Sequence, residues 1–343
     1  MRTSSPAQPP LTGTRVLVSG ASGYLASRLM PRLAAAGAQL LAQTRHPEAV
    51  AAAQVDAAAH ARGGDGVDGA DPDRPGGGPP GPERTLLVGA PGQAEVDAAI
   101  RDFAPEIVFG LAGRTDSRPG EENRRAMQAE HVDYADRLAD AVAGPALRRL
   151  VYTGSCAEYG TAPLPFDEAG PVEPQDPYAQ AKADAVALLR RRAEAEGLPL
   201  VVVRPFVAYG PGQKRGVVAF ALRQALTDAA FDTTEGTQTR DFVWVDDVLD
   251  GLLAAATAAG VEGGIYNLGS GVETPIRTLI ETVCRLAGGG RPHFGAIPLP
   301  PGDLLRSVAA VDRAREALAW QAAVPLADGL RRIVETAREE AAR

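Results

Sequence analysis

A tyrosine and a lysine four positions apart, Tyr178 and Lys182, are the residues whose types and spacing first indicate chemistry. On a helix this spacing places the phenol and the ammonium one turn apart on the same face. The chain has seven tyrosines and only two lysines among its 35 basic residues, so the match arises by chance with a probability of about 0.04, against a background that prefers arginine. A phenol, whose ordinary pKa is about 10, exchanges a proton near neutral pH if a nearby cation lowers that pKa. The pair predicts a general acid/base centre; the alternative is a solvent-exposed helix pair.

Ser155 is the hydroxyl residue placed to serve such a centre. It stands two residues beyond the apolar run 150–153, which is predicted to be a strand. Ligands of parallel sheets bind at the carboxyl ends of the strands, so the Ser155 hydroxyl is positioned to hydrogen-bond a substrate oxygen. Taken alone, Ser155 would be an ordinary loop serine.

The segment 20–26 (GASGYLA) is a glycine turn between the first predicted strand and the first predicted helix. Bare backbone there can approach a pyrophosphate, whose charge faces the helix N-terminus. The turn predicts a dinucleotide-binding site, and the alternative is a purely structural turn. The residues predicted to contact the dinucleotide are Gly20, Ser22, Gly23, Tyr24 and Leu25.

Thr44 and Arg45 follow the second predicted strand, where NAD-binding proteins place an acidic residue on the ribose. A hydroxyl followed by a guanidinium suits the 2′-phosphate of NADP instead. We therefore expect Thr44 and Arg45 to bind NADP, with NAD left open. The alternative is that Arg45 is an ordinary solvated arginine, of which this chain has many.

Apolar strands alternate with helical segments through most of the chain. The predicted strands are residues 14–19, 38–43, 106–111, 150–153 and 200–203. The predicted helices are residues 24–36, 130–143 and 177–195. Continuous apolar strands separated by helices indicate a parallel sheet covered on both faces. The expected fold class is α/β, a Rossmann-type doubly wound parallel sheet with a smaller C-terminal substrate-binding lobe.

The expected domain organisation follows from shifts in composition. Residues 1–13 are polar and Pro-rich and are predicted to be a disordered tail, and the Gly/Pro/Asp-rich residues 63–82 a flexible insertion. Residues 14–205 are predicted to form mainly the NAD(P)-binding domain. Residues 206–343 form mainly the substrate lobe, with 240–270 returning to the main sheet. Within this lobe Thr274 and Pro275 are predicted to be the N-cap and first turn of a helix.

Composition excludes several classes of function. A net charge of -8 gives no basic surface for nucleic acid. The longest apolar stretches are too short to span a bilayer, and the first residues lack the apolar core of a signal peptide. Two cysteines suit a reducing cytoplasm, where we expect this protein to be located. The four histidines have no metal-ligand spacing, so no metal site is expected.

The motifs taken together resemble the nucleotide-sugar epimerase/dehydratase family of extended short-chain dehydrogenases/reductases. The resemblance covers most of the chain. Besides the glycine turn and the Tyr178/Lys182 pair, its landmarks are residues 111–113 (LAG), 155–160 (SCAEYG), 204–213 (RPFVAYGPGQ), 239–247 (TRDFVWVDD) and 266–271 (YNLGSG). Within the family, NDP-4-keto-6-deoxysugar ketoreductases look most similar.

The resemblance implies roles for individual residues. Tyr178 would be the acid/base at the sugar carbon that exchanges hydride, Ser155 would polarise the same oxygen, and Lys182 would hold the nicotinamide ribose and tune Tyr178. Arg240 would grip the nucleotide diphosphate; the alternative is an ion pair with Asp241 or Asp246. The further implied cofactor residues are Leu111, Ala112, Gly113 and Phe206.

The chain also departs from the family pattern. Cys156 and Ala157 stand where dehydratases carry an adjacent Asp-Glu pair, so dehydration is not expected. His131 and Val207 each replace an asparagine, and Val207 removes one polar substrate contact. A family arginine before Gly302 is a proline here, which leaves Arg306 as a candidate substitute. Ala90 and Pro91 stand where the family has an acidic adenine contact.

The leading hypothesis is an NADPH-dependent ketoreductase acting on a nucleotide-linked keto-deoxysugar, because NADP accompanies net reduction and the dehydratase acids are missing. The runner-up is an epimerase that oxidises and re-reduces one sugar carbon with tightly bound NAD(P). Reduction of a small carbonyl compound and a noncatalytic cofactor-binding protein are the remaining alternatives. A homodimer is a family expectation, since the composition fits a monomer equally.

Overall fold

The computed structural model describes residues 11–48, 84–300 and 303–342. The predicted insertion 63–82 and the first ten residues of the predicted tail lie outside the described residues. The chain is packed from Leu11, whose side chain is buried and whose N–H donates to Ala36 O at 3.1 Å. The described residues thus include 11–13, which the sequence analysis assigned to the tail.

Strands and helices alternate along the described chain. The strands are β1 (Arg15–Ser19), β2 (Gln39–Thr44), β3 (Arg84–Val88), β4 (Ile107–Gly110), β5 (Arg149–Thr153), β6 (Leu200–Pro205), β7 (Val207–Tyr209), β8 (Ala230–Thr233), β9 (Thr239–Trp244), β10 (Ile265–Leu268), β11 (Glu273–Pro275) and β12 (Arg291–Phe294). The helices are α1 (Tyr24–Ala35), α2 (Ala94–Phe103), α3 (Glu121–Met127), α4 (Tyr134–Val142), α5 (Pro177–Glu196), α6 (Val217–Leu226), α7 (Val245–Thr257), α8 (Ile276–Ala287), α9 (Asp312–Leu318) and α10 (Leu326–Ala341). In addition, residues Gln128–Asp133 form a π-helical turn and Cys156–Tyr159 a 3₁₀ turn.

Seven strands form the main sheet in the order β10-β6-β5-β4-β1-β2-β3. The pairs β1–β2, β1–β4, β2–β3 and β6–β10 are parallel. The central strands are buried along their whole length, as a sheet covered on both faces requires. This arrangement confirms the predicted doubly wound, Rossmann-type α/β fold.

The described residues divide into two compact units. The first contains the residues up to Gly113 together with Asp133–Leu150, and the second contains Arg114–Val132 together with the residues from Val151 onward. The boundary expected at residues 205 and 206 stays a prediction. In the second unit, a three-stranded sheet in the order β11-β9-β7 packs on an apolar core that includes Tyr209, Phe242, Trp244, Leu279, Ile280 and Leu330.

Helix α5 carries Tyr178 and Lys182, and its bounds follow from the sequence. The Asp176 carboxylate accepts the Ala179 N–H at 2.9 Å as the N-cap, and Pro177 occupies the first turn. Gly197 ends the helix in a left-handed conformation, φ 72°. Both polar side chains therefore project from the first turn and a half of a helix whose start is fixed.

Two predicted helices differ from the structure. Pro275 is the N-cap of α8 rather than its first residue, because Thr274 is paired with Arg240 as part of β11. The helix predicted over 130–143 is the last part of a longer helical run that begins at Glu121. No helix in the described ranges is long and apolar enough to cross a membrane.

Candidate active site

Ser155, Tyr178 and Lys182 lie together in the second unit. Tyr178 and Lys182 come from α5, and Ser155 follows the end of β5. Ser155 and Thr115 are the hydroxyl residues near the half-buried Tyr178 side chain, and both act to lower the pKa of its phenol. The three residues that the sequence analysis grouped by type are therefore neighbours in space.

Lys182 is anchored at the end of β5. Its side chain is buried, its Nζ donates to the carbonyl oxygen of Thr153 at 2.7 Å, and the ammonium lies 5.2 Å from the Tyr152 ring centre. Burial lowers the pKa of Lys182 from its ordinary 10.5 to about 8, and the negative charge of Glu158 acts in the opposite direction. The ammonium is fixed by backbone rather than by an ion pair of its own.

The phenol of Tyr178 does not have the lowered pKa that the sequence analysis expected. Burial raises the pKa of Tyr178 to about 12, while the hydrogen bonds from Ser155 and Thr115 act to lower it. Lys182 is not among the groups that shift this pKa most. In this structure Tyr178 is a proton donor at neutral pH, which is the form that protonates a carbonyl oxygen.

Ser155 is held by the turn that follows it. Its Oγ accepts the Ala157 N–H at 3.2 Å, and its own N–H donates to Glu158 Oε1 at 2.6 Å. These bonds form a capping box on the 3₁₀ turn. The local sequence Ser-Cys-Ala-Glu therefore fixes the backbone of the predicted catalytic serine.

His131, which replaces a family asparagine, packs against the site. The imidazole meets the Tyr178 ring edge-on with ring centres 5.4 Å apart, and Nε2 lies 3.0 Å from the Arg114 carbonyl oxygen. That oxygen only accepts, so Nε2 carries the proton and the buried Nδ1 is an acceptor without a partner in the described chain. Burial, followed by the charge of Lys182, lowers the pKa of His131 to about 3. The imidazole is therefore neutral.

Phe206 and Val207 follow directly on β6. Phe206 is buried, donates its N–H to Leu268 O at 3.0 Å and lies with its ring centre 6.4 Å from that of Phe166. Val207 is half-buried and begins β7, where it pairs with Phe242. The implied roles of Phe206 beside the nicotinamide and of Val207 beside the substrate stay predictions.

The two predicted substrate arginines are both engaged in ion pairs. Arg240 Nη1 donates to the carbonyl oxygens of Thr239 and Leu304, and Nη2 binds Asp303 Oδ1 at 2.5 Å. Arg240 thus forms an ion pair, as the alternative proposed, but neither predicted partner is the one it uses. The buried Asp241 instead accepts backbone N–H groups of Ser270, Gly271 and Ala309. Asp246 accepts the Trp244 Nε1–H at 2.9 Å. Arg306 forms a bidentate pair with Glu273 at 2.6 and 2.7 Å. A diphosphate at Arg240 would compete with Asp303.

In the first unit, the glycine turn has the backbone that close approach to a dinucleotide requires. Gly20 has φ +75°, and a Cβ there would lie 2.6 Å from Ala112 Cα. Gly23 is the extended N-cap of α1, and no side chain caps that helix. The Leu111 N–H donates to Ser19 O at 3.2 Å, which brings residues 111–113 to this turn. Gly20, Gly23 and the helix N-terminus therefore fit a pyrophosphate. Ser22, Tyr24 and Leu25 lie half-buried in the same turn and the start of α1.

Thr44 and Arg45 stand at the end of β2 in the first unit. Thr44 is buried, and its hydroxyl donates to Ser22 Oγ at 3.1 Å and accepts the His46 N–H at 3.0 Å. Arg45 is exposed. The Thr44 hydroxyl thus links the end of β2 to the glycine turn. The Arg45 side chain places a positive charge on the surface at the same strand end.

Sequence reasoning missed one ion pair next to Ser155. Glu158 and Arg204 are both fully or almost fully buried, with Arg204 Nη2 2.7 Å from Glu158 Oε2. The signal was present, since Arg204 interrupts the apolar strand LVVVRP and Glu158 lies between apolar neighbours. A charge inside an apolar strand requires a buried partner.

The fold is of the Rossmann type, and the predicted catalytic residues Ser155, Tyr178 and Lys182 lie together in it. The sequence matches the NAD dependent epimerase/dehydratase family over residues 16–269. The chain therefore belongs to this family, whose members include nucleotide-sugar epimerases and reductases.

Individual relatives are consistent with this membership. The UDP-glucose 4-epimerase of Mycolicibacterium smegmatis is 35% identical over 259 residues, which cover 72% of this chain and 80% of the relative. The GDP-6-deoxy-D-mannose reductase of Pseudomonas aeruginosa is 32% identical over 194 residues, 53% of this chain and 64% of the relative. The UDP-glucuronic acid 4-epimerase of Bacillus cereus, solved with UDP-glucuronic acid and NAD, has the same fold with a TM-score of 0.80, at 20% identity over 95% of this chain and all of that one.

Proposed function

We propose that this chain is an NADPH-dependent ketoreductase that acts on the keto-deoxysugar of a nucleoside-diphosphate sugar. The observation that carries the proposal is the grouping of the Ser155 hydroxyl, the Tyr178 phenol and the buried Lys182, with no carboxylate at positions 156 and 157. Such a set can move one proton at one oxygen. It lacks the second acid/base that removal of water needs, and burial raises the pKa of the Cys156 thiol to about 12.

Each side chain has a defined task. Bound NADPH supplies the hydride for the sugar carbon. Tyr178, which holds its proton at neutral pH, donates that proton to the carbonyl oxygen as the C–O double bond becomes an alcohol. Ser155 donates a hydrogen bond to the same oxygen. The hydroxyls of Ser155 and Thr115, which act to lower the pKa of Tyr178, stabilise the phenolate until solvent returns a proton, and Lys182 would hold the nicotinamide ribose.

The preference for NADPH rests on the end of β2. Arg45 is exposed there, and neither Thr44 nor Arg45 is a carboxylate residue. The 2′-phosphate of NADP would therefore lie near a guanidinium instead of the acidic residue that NAD-binding proteins place at this point. The residues proposed to hold the sugar nucleotide are Ser155, Val207, Arg240 and Arg306.

An epimerase that retains NAD(P) is the second candidate, favoured by the 35% identity to the Mycolicibacterium smegmatis UDP-glucose 4-epimerase. The two candidates differ in net cofactor consumption. The test offers the protein a panel of nucleoside-diphosphate 4-keto-6-deoxysugars with NADPH or NADH and follows the absorbance of the reduced cofactor. Stoichiometric NADPH loss supports the ketoreductase. Conversion of a non-keto nucleotide sugar to its epimer without cofactor loss replaces it with the second candidate.

A further inference from the structure

The carboxylate of Glu158 contacts two parts of the catalytic centre at once. Its Oε1 accepts the Ser155 N–H at 2.6 Å, and its Oε2 accepts Arg204 Nε at 2.9 Å and Nη2 at 2.7 Å. Gly154 leaves the space for it, since a Cβ at that position would lie 2.3 Å from Glu158 Oε1. Glu158 is therefore the buried link between the turn that carries Ser155 and strand β6.

Arg204, the partner of Glu158 on β6, also packs against Tyr159. Its guanidinium lies 4.5 Å from the centre of the Tyr159 ring, and the Tyr159 hydroxyl donates to Asn267 Oδ1 at 2.7 Å. An arginine remains charged when buried, so it cannot relieve a lost partner by giving up its proton. The centre contains a second buried cation, and that one can lose its proton.

That second cation is Lys182. Its Nζ binds the carbonyl oxygen of Thr153, and Glu158 Oε1 binds the N–H of Ser155, so the ammonium and the carboxylate are bonded to the same short backbone segment. The groups near the ammonium are Glu158 from the 3₁₀ turn, His131 from the π-helical turn, Tyr152 and Thr153 from β5, and the protonated Tyr178 from α5. His131 is neutral and Thr153 contributes a carbonyl oxygen. Among these groups Glu158 is the one with a negative charge, and it serves two buried cations.

We propose that Glu158 is a positioning residue of the catalytic centre: it fixes the Ser155 backbone and supplies the negative charge that the two buried cations, Arg204 and Lys182, share. The proposal rests on the proposed role of the Ser/Tyr/Lys set in hydride transfer. Its electrostatic half, however, concerns the cofactor-free protein and is tested without any substrate.

Because the chain has only two lysines, Lys182 and the exposed Lys214, nuclear magnetic resonance can follow each of them directly. The full-length protein is labelled at lysine ¹³Cε, and both signals are titrated with pH. Glu158→Gln is expected to lower the Lys182 midpoint by roughly one to three pH units, the effect of losing an opposite charge at close range. Lys214 serves as the internal reference.

Two further variants fix the interpretation. Glu168→Gln is the matched control, because Glu168 is another buried glutamate of the second unit that binds the Asn267 N–H at 2.7 Å and does not contact Ser155. It should leave the Lys182 midpoint unchanged. Arg204→Gln should raise that midpoint, since it frees Glu158 for Lys182 alone, and it keeps the proposal testable if Glu158→Gln does not fold.

Activity provides the second readout. In Glu158→Gln the alkaline limb of the rate-against-pH profile should move to lower pH, and at about pH 8 the rate should fall roughly 5- to 500-fold, as a Lys182 midpoint lower by one to three pH units requires. Glu158→Asp, which keeps the charge, should retain the wild-type limb. Equal Lys182 midpoints in wild type, Glu158→Gln and Arg204→Gln would overturn the proposal. A wild-type protein that turns over no substrate while the midpoints shift as expected would instead count against the proposed function alone.

Discussion

Lys182 Nζ and the carbonyl oxygen of Thr153 are 2.7 Å apart, so the predicted catalytic ammonium is fixed to the last residue of a central strand. The bond costs the lysine its hydration, and burial lowers its pKa to about 8. A surface lysine would be flexible and permanently charged. Lys182 is therefore held in place between β5 and α5, and its lowered pKa lets it lose a proton at mildly alkaline pH.

Replacing Lys182 should change how stability depends on pH. Its pKa falls from 10.5 unfolded to about 8 folded, so between these values the unfolded chain binds more protons and wild-type stability rises with pH. At pH 7 the burial of the charge costs about 3 kcal/mol. Lys182→Met should therefore be more stable than wild type at neutral pH, and this advantage should shrink as the pH rises from about 8 to 10.5.

Urea unfolding at several pH values measures this difference. Lys214→Met is the matched control, since Lys214 is exposed and the substitution should give no pH-dependent difference from wild type. A Lys182→Met advantage that is constant from pH 7 to 10.5 would contradict a lowered Lys182 pKa.

Tyr178→Phe should lower kcat by about 100- to 10,000-fold while NADPH binds with nearly unchanged affinity, because the substitution removes only the proton donor. Tyr209→Phe is the control, since the Tyr209 hydroxyl makes only a long bond of 3.4 Å to Leu326 O in the apolar core. Steady-state rates and a cofactor titration by fluorescence check both variants. Full activity in Tyr178→Phe would exclude Tyr178 as the acid.

Arg45→Ala should raise the KM for NADPH by about 10- to 100-fold and leave that for NADH nearly unchanged, the effect of losing one charge-assisted bond to a phosphate. Arg101→Ala, at another exposed arginine of the first unit, should change neither value. The test is a comparison of initial rates with the two cofactors. Equal effects of Arg45→Ala on both would show that Arg45 does not recognise the 2′-phosphate.

Gly20→Ala should destabilise the protein and weaken dinucleotide binding. Gly20 and Gly13 have nearly the same backbone, φ +75° and +74°, but a Cβ at Gly20 lies 2.6 Å from Ala112 Cα whereas one at Gly13 has no atom within 4 Å. Both variants bear the strain of a left-handed alanine, about 1 kcal/mol. Gly20→Ala should lose a further 1–3 kcal/mol or so through overpacking. Similar urea midpoints for Gly20→Ala and Gly13→Ala would contradict this prediction, because they would show that the backbone at Ala112 moves aside from the new Cβ at no cost in stability.

The sequence predicted the parallel sheet because its strands are continuous apolar runs, and it predicted a helix over 177–195, close to the observed α5. The sequence analysis also assigned Ser155, Tyr178 and Lys182 to one site, and the three residues are close to one another in the structure. The pKa of Tyr178 and the partners of Arg240 could not be predicted, because they depend on burial and on residues such as Asp303 that lie far away in the chain. The start of α8 was predicted one residue too early, because Thr274 pairs with Arg240 as part of β11.

The most direct test of hydride transfer to a sugar uses NADPH that carries deuterium at the transferring position of the nicotinamide. The protein is incubated with this cofactor and a nucleoside-diphosphate 4-keto-6-deoxysugar, and the product is analysed by mass spectrometry. A ketoreductase transfers one deuterium to the sugar for each NADPH oxidised, and Tyr178→Phe transfers almost none in the same time. A product without deuterium, or equal incorporation by wild type and Tyr178→Phe, would contradict the proposed reaction.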